Sequence, residues 1–265
     1  MGGGSTDWSP WPHVELPPAI RHAAALLDGV HAPLLVRGYL DLLGTAEPAR
    51  PRGPIQSLML TRLVPAVYQR LWRPVLGQLV KGPLGPSDSA ERELARELLD
   101  LTAGEVLVDV ACGPGNFTRA LAPSVGARGL ALGVDASPTM LERAVADTDA
   151  GNIAYLRADA GDLPLRPGSV DAIGCFLALH LFDDPFRAVD RMTDALAPGG
   201  RIALHTTCAR GEQELQWIMT ELSRYGGVQL FGREELTDWL EKLGFIEIRQ
   251  EVHGLMQFVG ARRPD

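Results

Sequence analysis

Acidic and small residues stand together in the stretch from residue 105 to residue 115, EVLVDVACGPG. Its apolar run carries Asp109 near the end and then breaks into glycines, which permit a tight turn and let a ligand approach the backbone closely. The helical spacing that follows places unpaired N–H groups beside the same turn. A second acid, Asp135, follows the next apolar run, where a carboxylate can accept hydrogen bonds from both hydroxyls of a ribose. These residue types at this spacing predict a site for a ligand that contains adenosine.

Two familiar phosphate-binding loops do not match this turn. A dinucleotide fingerprint, G-x-G-x-x-G, needs a third glycine where the chain has Thr118, and a P-loop needs a Lys-Ser/Thr pair, which does not follow Gly115. A structural interpretation of Asp135 stays open beside the ribose one. In the turn DASP, residues 135–138, its carboxylate would cap the helix that Ser137-Pro138 starts.

The elements that position these residues alternate between strand and helix, which is typical of a parallel sheet. The final runs, FIEIRQEV and GLMQFVGARR, leave no room for a crossover helix and must form an antiparallel hairpin at one sheet edge. We therefore expect an α/β, doubly wound, Rossmann-like fold with a mostly parallel seven-stranded sheet. Other strands are predicted at 105–111, 128–134, 153–158, 170–176 and 200–207, and helices at 87–101, 116–123, 137–147, 184–197, 212–225 and 233–243.

We predict that the sheet domain spans 87–265 and that residues 1–82 form an N-terminal extension of it. Residues 1–18 lack any period and are expected to be a loosely ordered arm, and 19–82 a helical extension. Between 19 and 43, glycines and a proline divide the helical spacing into two short helices. Deletion of residues 1–80 is expected to leave a folded, ligand-binding domain.

The basic amphipathic segment 55–80 has three functional interpretations. It would serve as a lid over the site, as a homodimer face or as a peripheral contact with an anionic membrane. Simple packing against the sheet domain is the structural alternative.

Composition excludes several classes of protein. The formal net charge of −8 argues against nucleic-acid binding. The three cysteines form no CxxC pair, and no histidine cluster has metal-ligand spacing, so we expect reduced thiols and no metal site. No signal peptide and no run of about 20 apolar residues is present, which predicts a soluble, cytoplasmic protein.

Four separated motifs resemble, in their order, the class I S-adenosylmethionine-dependent methyltransferases. The similarity is greatest to the branch with the ubiquinone and menaquinone biosynthesis enzymes and many small-molecule methyltransferases, and it covers residues 87–262. Ala111 departs from the pattern, since the family usually has a glycine there, and the cost is expected to be small at negative φ. The motifs are VLVDVACGPGNFTRAL (106–121), GVDASPTMLERA (133–144), RADAGDLPLRPGSVDAIGCFLALHLFDDPFRAVDRMTDALAPGGRI (157–202) and REELTDWLEKLGF (233–245).

The resemblance implies S-adenosylmethionine as the cofactor and assigns roles to residues at the carboxyl ends of the strands. Phe176 would offer its backbone carbonyl to the cofactor's amino group, and Leu177 would close the pocket wall. Asp135 would hold the ribose. Asp109, Ala111, Cys112, Gly113 and Gly115 would line the methionine end, Ala136 and Met140 would flank the adenine, and Asp159 and Ala160 would meet its edge.

The implied reaction is an in-line displacement of the sulfonium methyl, which needs alignment and exclusion of water but no metal. A base is required only if the acceptor keeps its proton, and His180 and His205 are the candidates, with a structural histidine as the alternative for each. Asp183 and Asp184 follow His180 and are expected to raise its pKa or to orient its ring.

The acceptor is the least defined part of this hypothesis. Tyr68 and Trp72 predict an apolar or aromatic small molecule such as a quinol, phenol, polyketide or lipid. The alternative function is a non-catalytic binding protein, for example a regulatory partner of another enzyme, that keeps the cofactor fold.

Overall fold

In the computed structural model, which describes residues 16–29, 33–45, 85–209 and 228–265, nine strands form one mixed sheet. The strands are β1 (Leu34–Val36), β2 (Tyr39–Asp41), β3 (Val106–Val110), β4 (Leu130–Asp135), β5 (Ile153–Arg157), β6 (Val170–Phe176), β7 (Leu196–Thr207), β8 (Ile246–His253) and β9 (Met256–Arg262). The helices are α1 (Pro18–Ala25), α2 (Asp88–Leu99), α3 (Asn116–Val125), α4 (Pro138–Ala146), α5 (Pro185–Ala195) and α6 (Glu235–Lys242).

The strand order β1-β2-β5-β4-β3-β6-β7-β9-β8 places β3 at the centre. All five residues of β3 are buried, as its Val- and Leu-rich sequence requires of a strand covered on both faces. From β3 the chain builds outward through β4 and β5, and then crosses to the other side to add β6 and β7. This reversal opens a crevice at the carboxyl ends of the central strands, which is where open α/β sheets bind ligands.

The strands and helices predicted between 87 and 209 and after 228 are confirmed, with boundaries that differ by a few residues. Among them β7 differs most, because it begins at Leu196, directly after α5, and not at residue 200. The antiparallel C-terminal hairpin is also confirmed, since β9 lies between β7 and the edge strand β8. The predicted helix at 212–225 lies outside the described residues.

The sheet has nine strands in the described chain where seven were predicted, because β1 and β2 replace the second of the two short helices expected between 19 and 43. Arg37 and Gly38 both have positive φ, 45° and 90°, and join the strands as a two-residue turn that suits the twist of a hairpin. The groups LLV and YLD on either side are too short to show an alternating pattern, which explains the error.

The described part of the N-terminal extension shares its core with the sheet. Ile20 and Leu26 of the α1 region and Leu40 of β2 are buried in the same apolar cluster as the central strands. Strand β2 pairs in parallel with β5, and Leu27 forms an isolated bridge with Leu165. Residues 16–29 and 33–45 therefore belong to the folded domain. The arm before residue 16 and the basic segment 55–80, with Tyr68 and Trp72, lie outside the described residues.

Candidate active site

The turn between β3 and α3 forms the base of the crevice. Gly115 has a φ of 77° and precedes the first turn of α3. A Cβ added there would lie 2.5 Å from the hydroxyl oxygen of Tyr155, so only glycine fits without a shift of the tyrosine. Gly113 has a φ of 54°, and an added Cβ would meet no protein atom within 4 Å. The turn thus presents open space on the side of Gly113.

Asp135, at the end of β4, fastens this turn to the neighbouring strand. Its Oδ2 accepts a 2.8 Å hydrogen bond from the backbone N–H of Gly113, and its Oδ1 accepts one of 2.8 Å from Ser137. The helix α4 is capped by Ser137, whose Oγ accepts from the N–H of Met140 at 3.4 Å. Asp135 is therefore not the helix cap. Each of its oxygens keeps a lone pair with which it can accept a ligand hydroxyl.

A cavity of about 380 Å³ opens at the carboxyl ends of β3, β4 and β5. Five predicted cofactor residues line it, and the opposite wall comes from the loop after β6 and the start of α5. That wall was not assigned to the cofactor site from the sequence, although LFDDP (181–185) begins five residues after the end of the fourth predicted strand. The lining residues are Ala111, Val134, Asp135, Ala136, Ala158, Asp159, Ala160, Gly161, Asp162, Leu181, Phe182, Asp183, Asp184 and Arg187.

The remaining predicted cofactor residues lie around this cavity and not in its lining. Phe176 stacks on Phe117 with 4.3 Å between ring centroids. Met140 lies in the first turn of α4. Cys112 is buried, and burial together with the charges of Asp135 and Asp109 raises its thiol pKa, so the thiol stays protonated.

Two residues without the freedom of glycine adopt left-handed backbone at adjacent strand ends. Ala111 follows β3 with a φ of 56°, and Leu177 follows β6 with a φ of 60°. The expectation of a negative φ at Ala111 is therefore wrong. Each such residue costs on the order of 1–3 kcal/mol, and strain of this kind concentrates at ligand sites.

Two carboxyls with raised pKa, Asp109 and Asp135, lie at the ends of β3 and β4. Asp109 is almost fully buried, and desolvation raises its pKa to about 7, although hydrogen bonds from Thr118, including a 2.5 Å bond from Oγ1, oppose the shift. Burial also raises the pKa of Asp135, against the hydrogen bonds from Ser137 and Gly113. A positive group placed nearby would favour the ionised form of both carboxyls. The site therefore suits a ligand with a cationic portion.

The two candidate histidines occupy different surroundings. His180 lies in a short turn, Leu179–Leu181, with Nδ1 3.3 Å from Oγ1 of Thr206. Desolvation lowers its pKa to about 4, so the expected rise caused by Asp183 and Asp184 is wrong. Its imidazole is therefore neutral at neutral pH.

His205 is fully buried in β7. Its ring stacks on Phe258 at 3.7 Å, and Nε2 lies 3.9 Å from Oε1 of Glu91 in α2. Neither histidine lines the 380 Å³ cavity, but His180 belongs to the loop that continues into it through Leu181 and Phe182.

Within the described ranges there is no cluster of three or more His, Cys, Asp or Glu side chains that could hold a metal ion. No helix in the same ranges is long and apolar enough to span a bilayer.

Comparison with known proteins finds similarity in sequence. Residues 108–204 match a family model described as a methyltransferase domain. An uncharacterized chloroplastic methyltransferase of Arabidopsis thaliana is 30% identical over 241 residues, which cover 85% of this chain and 66% of the plant protein. The chain thus spans about two thirds of the length of that relative. Demethylmenaquinone methyltransferase of Staphylococcus aureus is 27% identical over 173 residues, covering 55% of this chain and 70% of that enzyme.

Solved structures share the fold. The [4+2]-cyclase SpnF superposes with a TM-score of 0.61 at 17% identity and covers 82% of this chain and 98% of the cyclase. Phosphoethanolamine N-methyltransferase 2 of Haemonchus contortus, in complex with phosphomonomethylethanolamine and S-adenosylhomocysteine, superposes with a TM-score of 0.57 at 17% identity, covering 68% of this chain and 54% of that chain. At these identities the similarity concerns the fold alone.

Proposed function

We propose that this chain, which belongs to the class I S-adenosylmethionine-dependent methyltransferases, transfers the cofactor's methyl group to an apolar or aromatic small-molecule acceptor. The observation that carries the proposal is the arrangement at the ends of β3 and β4. There Asp135 holds the glycine turn against a cavity of about 380 Å³, a volume within the range of small-molecule sites.

The residues of the crevice fit S-adenosylmethionine. The carboxylate of Asp135 lines the cavity wall and can accept hydrogen bonds from the ribose hydroxyls. Ala136 and Ala160 leave room for a flat ring system, and Asp159 carries an exposed carboxylate at the same wall. The buried carboxyl of Asp109 favours the charged methionine end.

When bound, the cofactor supplies a methyl group on a positively charged sulfur that is already a good leaving group. The chain's own residues then orient the two reactants and exclude water. The glycine turn and Asp135 fix the position of the cofactor, and Leu181 and Phe182 provide an apolar wall. His180 is the candidate base for an acceptor hydroxyl, and its pKa of about 4 makes the neutral imidazole a weaker base than an ordinary histidine.

An apolar or aromatic acceptor is supported by one relative. Demethylmenaquinone methyltransferase is named for a quinone substrate, and it aligns with 55% of this chain. A quinol is therefore the first acceptor class to test, followed by a phenol, a polyketide and a lipid. Tyr68 and Trp72 remain predictions for acceptor contacts.

A non-catalytic binding or regulatory role is the second candidate function. The fold is shared with a protein that is named as a cyclase and not as a methyltransferase, and that covers 82% of this chain. A shared fold does not fix the chemistry performed on it.

A transfer assay separates the two candidates. The chain is incubated with S-adenosylmethionine that carries a tritium-labelled methyl group and with a panel of quinols, phenols and lipids. We expect labelled acceptor and S-adenosylhomocysteine to form in equal amounts with at least one aromatic acceptor. Saturable cofactor binding without transfer to any member of the panel would support the non-catalytic role.

A further inference from the structure

Arg157, the last residue of β5, joins three segments of the chain through one guanidinium group. Its Nη1 lies 3.1 Å from Oδ2 of Asp41 and donates a 2.7 Å hydrogen bond to the carbonyl of Gly44. Its Nε donates a 3.1 Å hydrogen bond to the carbonyl of Ala136. The first two partners belong to the N-terminal segment, and the third lines the 380 Å³ cavity.

Hydrogen bonds from the backbone hold the carboxylate of Asp41 in place for this contact. Its Oδ1 accepts from the backbone N–H groups of Leu43 and Gly44, each at 2.9 Å, so its carboxylate fixes the turn after β2. The pairing of the strands brings Asp41, Arg157 and Asp135 into register on β2, β5 and β4. The ion pair thus lies one strand away from the ribose-binding carboxylate.

Because this ion pair is buried, attaching the β1–β2 hairpin through it carries a large desolvation cost. Arg157 and Asp41 are 5% and 7% exposed, and taking two charges out of water costs more than an apolar contact of similar size. Apolar contacts already dock β2, because Leu40 is fully buried opposite Leu156. The guanidinium also donates a hydrogen bond to the carbonyl of Ala136, and apolar packing cannot replace that bond.

A second attachment lies on the other side of the cavity wall. The N–H of Arg166 donates to the carbonyl of Leu26 at 2.9 Å, and that of Asp28 donates to the carbonyl of Pro164 at 3.0 Å. The N-terminal segment therefore holds the chain both before and after residues 158–162, which form the wall.

We infer that Arg157, held by Asp41, is a positioning residue for the adenosine half of the cofactor site. It fixes the carbonyl of Ala136 and thereby the turn between Asp135 and Ser137, so that the N-terminal segment acts on cofactor affinity without touching the cofactor. The inference rests on the proposed function, because it takes the adenosine to lie in this cavity.

Isothermal titration of the full chain with S-adenosylhomocysteine and with adenosine tests this role. Arg157→Lys keeps the charge but loses the forked geometry that serves partners in different directions. We expect both ligands to bind about five- to tenfold more weakly, which is the low end of the coupling found between sites in one protein. Asp41→Asn should weaken both ligands in the same direction, and it carries the test if Arg157→Lys does not fold.

Arg201→Lys is the matched control. Arg201 also joins several segments, through Glu105 and the carbonyls of Leu99 and Asp100, but it lies near the amino ends of the strands. We expect this variant to lower the melting temperature and to leave both affinities unchanged.

Three outcomes contradict the inference or its premise, and they are distinguishable. Equal weakening in Arg157→Lys and Arg201→Lys would show a general loss of stability. Unchanged affinities in Arg157→Lys and Asp41→Asn, with wild-type binding intact, would overturn the positioning role alone. A wild-type chain that binds neither ligand would overturn the proposed function.

Discussion

Asp109, the buried carboxyl at the end of β3, has a different pKa in the folded protein and in the unfolded chain. Its folded-state pKa of about 7 lies above its ordinary value of 3.8. Between these values the folded protein keeps a proton that the unfolded chain releases, so stability falls as the pH rises. The contribution of Asp109 is therefore complete below pH ~4 and is lost progressively as the pH rises through ~7.

Asp109→Asn should remove this pH dependence. Below pH ~4 both side chains are neutral and the two proteins should have similar unfolding free energies, whereas the variant should become more stable by up to about 4 kcal/mol above pH ~7. Urea denaturation across this pH range measures the difference. Thr118→Val, which removes a hydrogen bond to the carboxylate, should move the window to higher pH. A difference that is constant with pH would contradict the raised pKa.

His180 should act as a base only while the acceptor keeps its proton. His180→Ala is expected to lower the transfer rate about 10²-fold at neutral pH, with a loss that shrinks as the pH rises towards the acceptor's own pKa. Because the pKa of His180 is about 4, the wild-type rate should show no loss from its protonation at pH values well above 4. Single-turnover rates across pH measure both effects.

Thr206→Val is the control for this histidine, because it removes the Nδ1 partner and keeps the ring. We expect a smaller loss than in His180→Ala. A loss in His180→Ala that is equal at every pH, with cofactor binding intact, would make His180 a positioning residue.

Gly113 and Gly115 form a matched pair for testing the turn. Both have positive φ, so each Ala variant should lose about 1–2 kcal/mol of stability to left-handed backbone. Gly115→Ala should lose more, because its Cβ meets the Tyr155 hydroxyl, and Tyr155→Phe should relieve part of the excess. Gly113→Ala should mainly weaken cofactor binding, since its Cβ points into open space. Equal effects of the two variants on stability and on affinity would contradict this account of the turn.

At the residue scale the sequence predicted the lining of the cavity better than the pKa values and backbone angles of its residues. Asp135 and Ala111 were predicted to lie in the site, and they line the cavity. The positive φ of Ala111 and the lowered pKa of His180 depend on the packing of distant segments, which spacing along the chain does not contain. Arg157 was not recognised because its partner Asp41 is more than a hundred residues away.

At the element scale, prediction succeeded where the periodic pattern is long and failed where it is short. The buried run of β3 and the amphipathic helix α5 each contain enough residues to show their period. The strands β1 and β2 contain three residues each, and the pairing of β2 with β5 is decided by tertiary contacts.

Deletion of the N-terminal elements should therefore cost stability, contrary to what the sequence alone indicated. A chain that lacks residues 1–45 exposes the partners of Ile20 and Leu40 and leaves the charge of Arg157 without Asp41, and breaking a buried pair costs on the order of 3–5 kcal/mol. We expect an insoluble product or a melting temperature lowered by many degrees. A chain that lacks residues 1–15 keeps every described contact and is the control. Equal melting temperatures of the two truncated chains would contradict the shared core.

At the scale of the whole molecule, the crevice combines parts from both halves of the chain. Ala111, Asp135 and the loop after β6 line its cavity, and residues 16–29 and 33–45 support the wall formed after β5. The cofactor site is therefore built from both the N-terminal and the C-terminal half of the chain. The acceptor contacts predicted at Tyr68 and Trp72 lie outside the described residues.

The central claim is that this crevice binds S-adenosylmethionine through Asp135. The most direct test is isothermal titration of the wild-type chain and of Asp135→Ala with S-adenosylhomocysteine, with the melting temperature of each protein measured in parallel. We predict saturable binding by the wild-type chain and an affinity at least about tenfold lower in the variant, which corresponds to about 1.4 kcal/mol. Equal affinities, with only a lower melting temperature in the variant, would reduce Asp135 to a support of the turn and contradict the claim.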